Sequence, residues 1–232
     1  MTRAASRSVA LTSSRGRNVE DGSGRSLLEE AYGAIKHRIT TCAYRPGEYL
    51  NEAEVSASLG IGRTPVHQAL DRLRVEGLVE VMPRKGILVK PVSLDEVLHT
   101  IEVRVLNEVH GVRLAAERAS TAEVDEMAAI LERAAAALPD RDTETLMGLD
   151  RDFHGAIARA SRNEVLADLL GRLHDRSLRF WVISLNAPGH HAAVHEQHLA
   201  ILDAVRARDP DRAAAAMRDH IDAFRRNLMQ TV

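Results

Sequence analysis

From Ser93 onward the chain gives a helix reason to stop at only five places: Ser120, Pro139-Asp140, Ser161–Asn163, Asn186–Gly189 and Asp209-Pro210. Between them Ala, Leu, Glu and Arg dominate, and apolar residues recur three and four apart, the period of an amphipathic helix rather than of a strand. That predicts six helices, over 93–118, 121–137, 142–160, 163–186, 190–208 and 211–229. Ser120 and Glu123 add an S-x-x-E box, which caps backbone amides at a helix start. Connections this short make neighbours antiparallel, so residues 92–232 are expected to close into an independent helical bundle. The whole chain reads as mostly α, and 3% aromatic content leaves little with which to build a large sheet.

The front of the chain has a different rhythm. Residues 1–24 are rich in Ser, Arg and Gly and hold too little apolar surface to repay the entropy of ordering, so they read as an arm. Residues 25–91 then form a compact unit. Leu28, Ala31, Tyr32, Ile35 and Ile39 keep helical register until Arg45-Pro46-Gly47 ends it. A short second helix over Glu52–Leu59 stops at Gly60, and a third starts around Gly62–Pro65, with proline in its first turn. Val66, Ala69, Leu70 and Leu73 form its apolar stripe. Leu78–Met82 and Ile87–Val89 follow as two strands around the basic turn Pro83-Arg84-Lys85-Gly86. Three helices and a basic hairpin make a winged helix-turn-helix. Charge agrees: residues 1–91 carry 14 Lys+Arg against 10 Asp+Glu, whereas residues 92–232 carry 17 against 23. A basic front and an acidic back suit a polyanion-binding module joined to something else.

The run Arg45-Pro46-Gly47-Glu48-Tyr49-Leu50, then Leu59-Gly60-Ile61-Gly62-Arg63-Thr64-Pro65-Val66, then Ala69-Leu70, Leu73, Glu76-Gly77-Leu78 and Gly86 resembles the GntR-type bacterial transcription regulators. Two departures stand out: Gly62 replaces the family's usual serine, and His67-Gln68 replace its usual Arg-Glu pair. In a helix-turn-helix the N-terminal side chains of the recognition helix meet base edges while neighbouring cations bind phosphate. Arg63 is the expected base reader, because a guanidinium donates two hydrogen bonds to guanine, and the resemblance implies the same position. Thr64 and Gln68 are placed to read bases or bind backbone. His67, mostly neutral near pH 7, should grip phosphate less well than arginine would. Arg72 is an expected phosphate contact, with a solvated surface charge as its other reading. Arg84 and Lys85 at the hairpin tip are expected to reach the minor groove or flanking phosphates.

Eleven histidines are many for this length, so the face each occupies matters. Asp150 and His154 are i, i+4 neighbours on the stripe Leu146, Phe153 and Ile157, and should point into the bundle. His198 shares the stripe of Val194, Ile201, Leu202 and Val205; His220 shares that of Met217, Ile221, Phe224 and Leu228. These two lie 11 residues either side of Asp209, so an antiparallel hairpin sets them level, about 16 Å from the turn at ~1.5 Å per residue. Any one inward histidine is more often a hydrogen-bonded core residue. Together, one acid and three imidazoles form a candidate divalent metal site. Asp152 should face away, and no inward Glu or Asp is clearly left over as a general base. His190, His191 and His195 fall in or just after a Gly-Pro loop and are expected to face solvent, with His195 a reserve ligand.

The segment Asp150-Arg151-Asp152-Phe153-His154, then Ala160-Ser161-Arg162-Asn163, then His198 and His220 resembles the FCD ligand-binding domain of the FadR-like branch of GntR regulators. The resemblance implies an all-helical domain in which Asp and three His hold Zn²⁺, Ni²⁺ or a similar ion, with Arg104 near the pocket. Arg104 is then placed to bind an effector carboxylate bidentately, or to pair with Glu108 at i, i+4. His174, on the stripe Leu166, Leu170, Leu173 and Trp181, either lines the cavity or packs in the core.

These readings converge on a cytoplasmic, metal-containing homodimeric regulator. A small carboxylic or sugar acid would complete the ion's coordination and alter binding to operator double-stranded DNA. Cys42 has no intrachain partner, no stretch approaches the ~20 apolar residues of a membrane span, and the N-terminus shows no apolar signal core. The alternative is a metalloenzyme built on the same one-Asp, three-His set, carrying an accessory DNA-binding domain. An architectural DNA binder would leave the buried polar cluster unexplained.

Overall fold

The structure, a computed structural model, describes residues 26–91, 93–184 and 190–231. The arm over 1–24 and the break at Asn186–Gly189 lie outside the described residues.

Helix α1 (Leu27–Thr40) starts at Ser26, whose hydroxyl accepts from the Glu29 amide. Helix α2 (Glu52–Leu59) is capped by Asn51 and stopped by Gly60 at φ +67, a conformation open to glycine at little cost. Helix α3 (Arg63–Val75) buries Val66, Ala69, Leu70 and Leu73, the stripe expected from its sequence. The wing is β2 (Val79–Met82) paired antiparallel to β3 (Gly86–Val89). A third strand, β1 (Tyr49–Leu50), pairs with the other edge of β3, giving the order β1-β3-β2. Two residues are too few to show an alternating pattern, so this strand could not be read from sequence. Gly86 closes the wing at φ +102, where a Cβ would come 2.7 Å from the Leu50 carbonyl oxygen.

The second half is helical throughout its described residues: α4 (Leu94–Arg118), α5 (Thr121–Ala137), α6 (Thr143–Ala160), α7 (Glu164–Ser184), α8 (His190–Arg206) and α9 (Pro210–Thr231). Bounds agree with expectation to within about two residues, as they must where helix ends fray. The Ser120/Glu123 capping box forms in both directions. Long α4 runs through the bundle against α6, α7, α8 and α9. Phe153, Met127, Ile201, Met217 and Ile221 are all buried in one apolar core, each contributing roughly 1.5–3 kcal/mol by leaving water.

A separate apolar cluster of Ile35, Ile39, Leu70, Leu73, Leu78 and Val89 holds the head together. Polar contacts join the two units. His37 reaches Glu144 at 2.9 Å, Lys36 reaches Asp175, and Arg179 donates to the Lys90 carbonyl at 2.8 Å.

Candidate functional site

Each helix of the bundle that lines the centre interrupts its apolar stripe with a polar side chain. Asp150 and His154 come from α6, His174 from α7, His198 from α8 and His220 from α9, all between 3% and 8% exposed. The His198 and His220 ring centroids are 4.7 Å apart, as the equal arms of their hairpin require. His154 lies 5.3 Å from His198, 5.2 Å from His220 and 5.0 Å from His174. Two donor triads result among the described residues, His154/His198/His220 and Asp150/His154/His174, each with one ligand atom per residue within 4.8 Å of the others.

Short polar contacts engage one ring nitrogen each of His154 and His220. His154 Nδ1 lies 2.9 Å from Glu108 Oε2, and His220 Nδ1 lies 2.9 Å from Gln197 Oε1. His154 Nε2 and His198 Nε2, both buried, have no aligned partner among the described residues. Asp150 divides its carboxylate between His174 Nε2 at 3.2 Å and His198 Nε2 at 3.5 Å. Burial pushes His198 down to about 3, and burial together with His198 and His154 holds His220 well below the ordinary histidine value. Burial would raise the Asp150 carboxyl, yet the hydrogen bond from His174 and the surrounding histidines keep it well below the usual carboxylate range. An ionised carboxylate, His198 and His220 rings held low in pKa by burial, and buried His154 and His198 nitrogens without an aligned hydrogen-bond partner fit a divalent ion.

Arg104 is buried at 5%, with its Nε 2.5 Å from Glu108 Oε1. Glu108 therefore bridges Arg104 and His154. Burial opposes its charge, but Arg104 and His154 hold its carboxyl well below the usual range. A narrow cavity of about 30 Å³ touches Arg104, Asp150, His154, His174, His190 and His220. A larger one, about 410 Å³, opens between α6 and α7 beside Gly155 and Gly171 and reaches Glu108, His154 and His174.

On the head, Arg63, Thr64, His67 and Gln68 are all exposed along the first turns of α3, which starts at Gly62 without a side-chain cap. His67 Nδ1 lies 2.8 Å from Glu52 Oε1, and that hydrogen bond raises its pKa. Arg72 stacks 3.7 Å over the Tyr32 ring and pairs with Glu29 at 2.9 Å, so its charge is partly engaged within the head. Arg84, at φ +66, and Lys85 are exposed at the wing turn.

Residues 27–89 match the family model for bacterial regulatory proteins of the gntR family, and residues 99–223 match the FCD domain. The chain belongs to the GntR family of transcriptional regulators, with an FCD domain. The Nta operon transcriptional regulator of Aminobacter aminovorans is 30% identical over 195 residues, covering 82% of this chain and 88% of that one. The transcriptional repressor NanR of Citrobacter rodentium is 28% identical over 225 residues, covering 86% and 84%. The solved structure of E. coli McbR/YncC is similar at a TM-score of 0.81 and 24% identity, over 89% of this chain and 98% of that one, which shows the fold. The two relatives are named as transcriptional regulators, in keeping with the family models, and the metalloenzyme alternative is set aside. No described helix of this GntR regulator is long and apolar enough to cross a membrane.

His190, His191, His195 and Glu108 stand apart from their sequence reading. His190 is 7% exposed rather than solvent-facing, because α8 begins at His190 itself and places it on one face with Val194 and His198 at i+4 and i+8. Extending that stripe back one turn would have found it. His191 and His195 are half-buried. Glu108 is an inward acid where none was expected; its i, i+4 relation to Arg104 gave the pair but not the contact with His154. His174 lines the narrow cavity and faces Asp150 at 3.2 Å. Asp152 faces out, 3.4 Å from Arg133, as anticipated.

Proposed function

We propose that this GntR regulator holds one divalent ion per chain through Asp150, His154, His198 and His220, and that a small carboxylic or sugar acid bound beside it sets the affinity for operator DNA. The observation that carries the reading is the burial together of Asp150, His154, His198 and His220, with His154 Nε2 and His198 Nε2 lacking an aligned hydrogen-bond partner among the described residues. Burying such a cluster is costly unless something satisfies it. A divalent ion, zinc first and nickel or manganese as alternatives, would supply there a positive charge for these lone pairs and for a ligand oxygen.

The chain's own groups do the rest. Glu108 holds the His154 Nδ1 proton and so presents Nε2 inward. His174 orients Asp150 through its second carboxylate oxygen. Arg104, on the cavity wall, is the group to meet an effector carboxylate, exchanging part of its bond to Glu108 for it. At the other end Arg63 reads bases, with Thr64, His67 and Gln68 beside it, while Arg72, Arg84 and Lys85 contribute charge toward phosphate. Two chains in a homodimer would set two recognition helices about one helical turn apart, ~34 Å, on a pseudo-palindrome.

Elemental analysis with melting curves taken with and without chelator tests the ion. About one equivalent and a chelator-lowered melting temperature are expected; under about a tenth of an equivalent, with melting unmoved, sinks it. A thermal-shift screen of carboxylic and sugar acids on metal-loaded protein, followed by gel retardation, tests the effector. The expected hit changes retardation of operator DNA and is recovered unconsumed.

A further inference from the structure

Helix α7 carries the sensor site on one face and the DNA-reading head on the next. His174 meets Asp150 inside the bundle at 3.2 Å. Asp175, about 100° further round the helix, meets the head: its Oδ2 lies 2.5 Å from Lys36 Nζ of α1. Its Oδ1 lies 3.1 Å from Nε of Arg151, the neighbour of Asp150 on α6. Two adjacent pairs thus bridge α6 and α7, Asp150 to His174 within the site and Arg151 to Asp175 beside it. The Lys36 and Asp175 side chains are only 8% and 4% exposed.

From Lys36 the contacts run into the recognition helix. Lys36 Nζ also donates to Glu76 Oε2 at 3.0 Å and to the Tyr32 hydroxyl at 2.8 Å. Glu76 is the C-cap of α3, and Tyr32 carries Arg72 of α3 over its ring. Arg176, the next residue on α7, donates to the Glu76 carbonyl at 3.2 Å. Gly77 leaves room for it: at φ +77, a Cβ there would come 2.7 Å from Arg176 Nη2. The end of α3 is therefore held on α7 by groups that follow His174 directly in sequence.

We propose that Asp175 is a positioning residue through which occupancy of the neighbouring metal site reaches the recognition helix. A shift of α7 that accompanies ligation of Asp150 moves Asp175 relative to Lys36, and Glu76 moves with Lys36. A buried ion pair suits this role because separating it strands a charge away from water; it is made or broken rather than stretched. The exposed pair Arg133–Asp152, screened by solvent, has no such property. Contiguity alone carries no coupling energy, so the test measures the coupling. The inference rests on the site binding a divalent ion, and the experiment reads ion and coupling separately.

The probe is Zn²⁺ on the full chain, for wild type, Asp175→Asn, Lys36→Gln and the charge-keeping Lys36→Arg. Competition with a chromophoric chelator gives the Zn²⁺ affinity; amide hydrogen exchange on α1 and the last turn of α3, with and without Zn²⁺, gives the response of the head. In wild type, Zn²⁺ is expected to change exchange in those segments about five-fold or more. Asp175→Asn and Lys36→Gln should still bind Zn²⁺ and protect α8 and α9, but lose the response in α1 and α3, while Lys36→Arg keeps it. Wild type that binds Zn²⁺ without a response in the head, single variants that respond like wild type, or a Lys36→Arg variant that loses the response overturns the role of Asp175 and leaves the site standing. Wild type that binds none of Zn²⁺, Ni²⁺ and Mn²⁺ in the same competition overturns the site, and the coupling with it. Should Asp175→Asn fail to fold, Lys36→Gln, altered only on the head, decides between these outcomes.

Discussion

Replacing Glu108 by glutamine removes one charge from the middle of the candidate metal site while leaving its shape. In the native protein, one carboxylate oxygen accepts from Arg104 at 2.5 Å and the other faces His154 Nδ1 at 2.9 Å. An amide has one acceptor oxygen and one donor nitrogen, so it can serve only one of these two donors. Turned toward His154, it leaves a buried guanidinium facing an NH₂ group, and breaking a buried pair this way costs about 3–5 kcal/mol. Turned toward Arg104, it keeps the stronger bond and releases the His154 tautomer, an outer-shell loss of about 10- to 100-fold in metal affinity. The second orientation is cheaper, so weakened metal binding is the expected outcome. With Zn²⁺ at 100 times the wild-type dissociation constant, binding stabilises wild type by about 2.7 kcal/mol and Glu108→Gln by about 0.4–1.4 kcal/mol. At roughly 2–4 °C per kcal/mol for a chain of this size, Zn²⁺ should raise Tm by about 5–11 °C in wild type and about 1–6 °C in the variant. Calorimetric scans of both proteins, chelated and then Zn²⁺-loaded, measure this. Equal Zn²⁺-dependent rises would refute the part given to Glu108.

Arg63→Ala should abolish preference for the operator over unrelated DNA, whereas Lys85→Ala should weaken binding to every sequence and reduce the salt slope by about 1; a gel-shift titration showing operator affinity unchanged in Arg63→Ala rejects the base-reading assignment. Gly86→Ala places a Cβ against the Leu50 carbonyl at a φ of +102 and should destabilise the head by about 1–3 kcal/mol, which chemical denaturation followed at the wing would register. Because Glu52 raises the His67 pKa, the imidazolium pair is present below the ordinary histidine range and lost as pH rises through the raised value. The salt slope of operator binding should therefore be shallower at about pH 8.5 than at about pH 5.5, and Glu52→Gln should move that change to lower pH; a slope independent of pH contradicts it.

Much of this architecture is legible in the sequence, for local reasons. The bundle's helices end at Pro, Gly and Ser signals that act on the backbone within a few residues, so their bounds follow closely. The facing of His198 and His220 follows from a single turn with equal arms, since antiparallel neighbours share a register set by the loop between them. Strand β1 and the burial of His190 do not follow, the first because Tyr49–Leu50 is too short to show a period, the second because the turn into α8 hides where its stripe begins.

The contacts most relevant to signalling escape sequence reading for a further reason. Glu108 on α4 and His154 on α6 belong to helices that are not consecutive, and no loop sets the register between them; only packing of the long α4 against α6 brings Oε2 to Nδ1. The pairs Asp150-Arg151 and His174-Asp175 are hidden differently. Neighbours on a helix face about 100° apart, so in each pair one residue serves the site while the next serves the surface beside it. Read along the chain, both are ordinary polar dipeptides. Once α6 lies on α7, they become two parallel rungs, and the outer rung ends on Lys36 of the head. Only two helical neighbours therefore separate Asp150 from the ion pair to the head, so the coupling proposed above needs no long chain of contacts, and whether it carries energy is what the Lys36 and Asp175 variants measure.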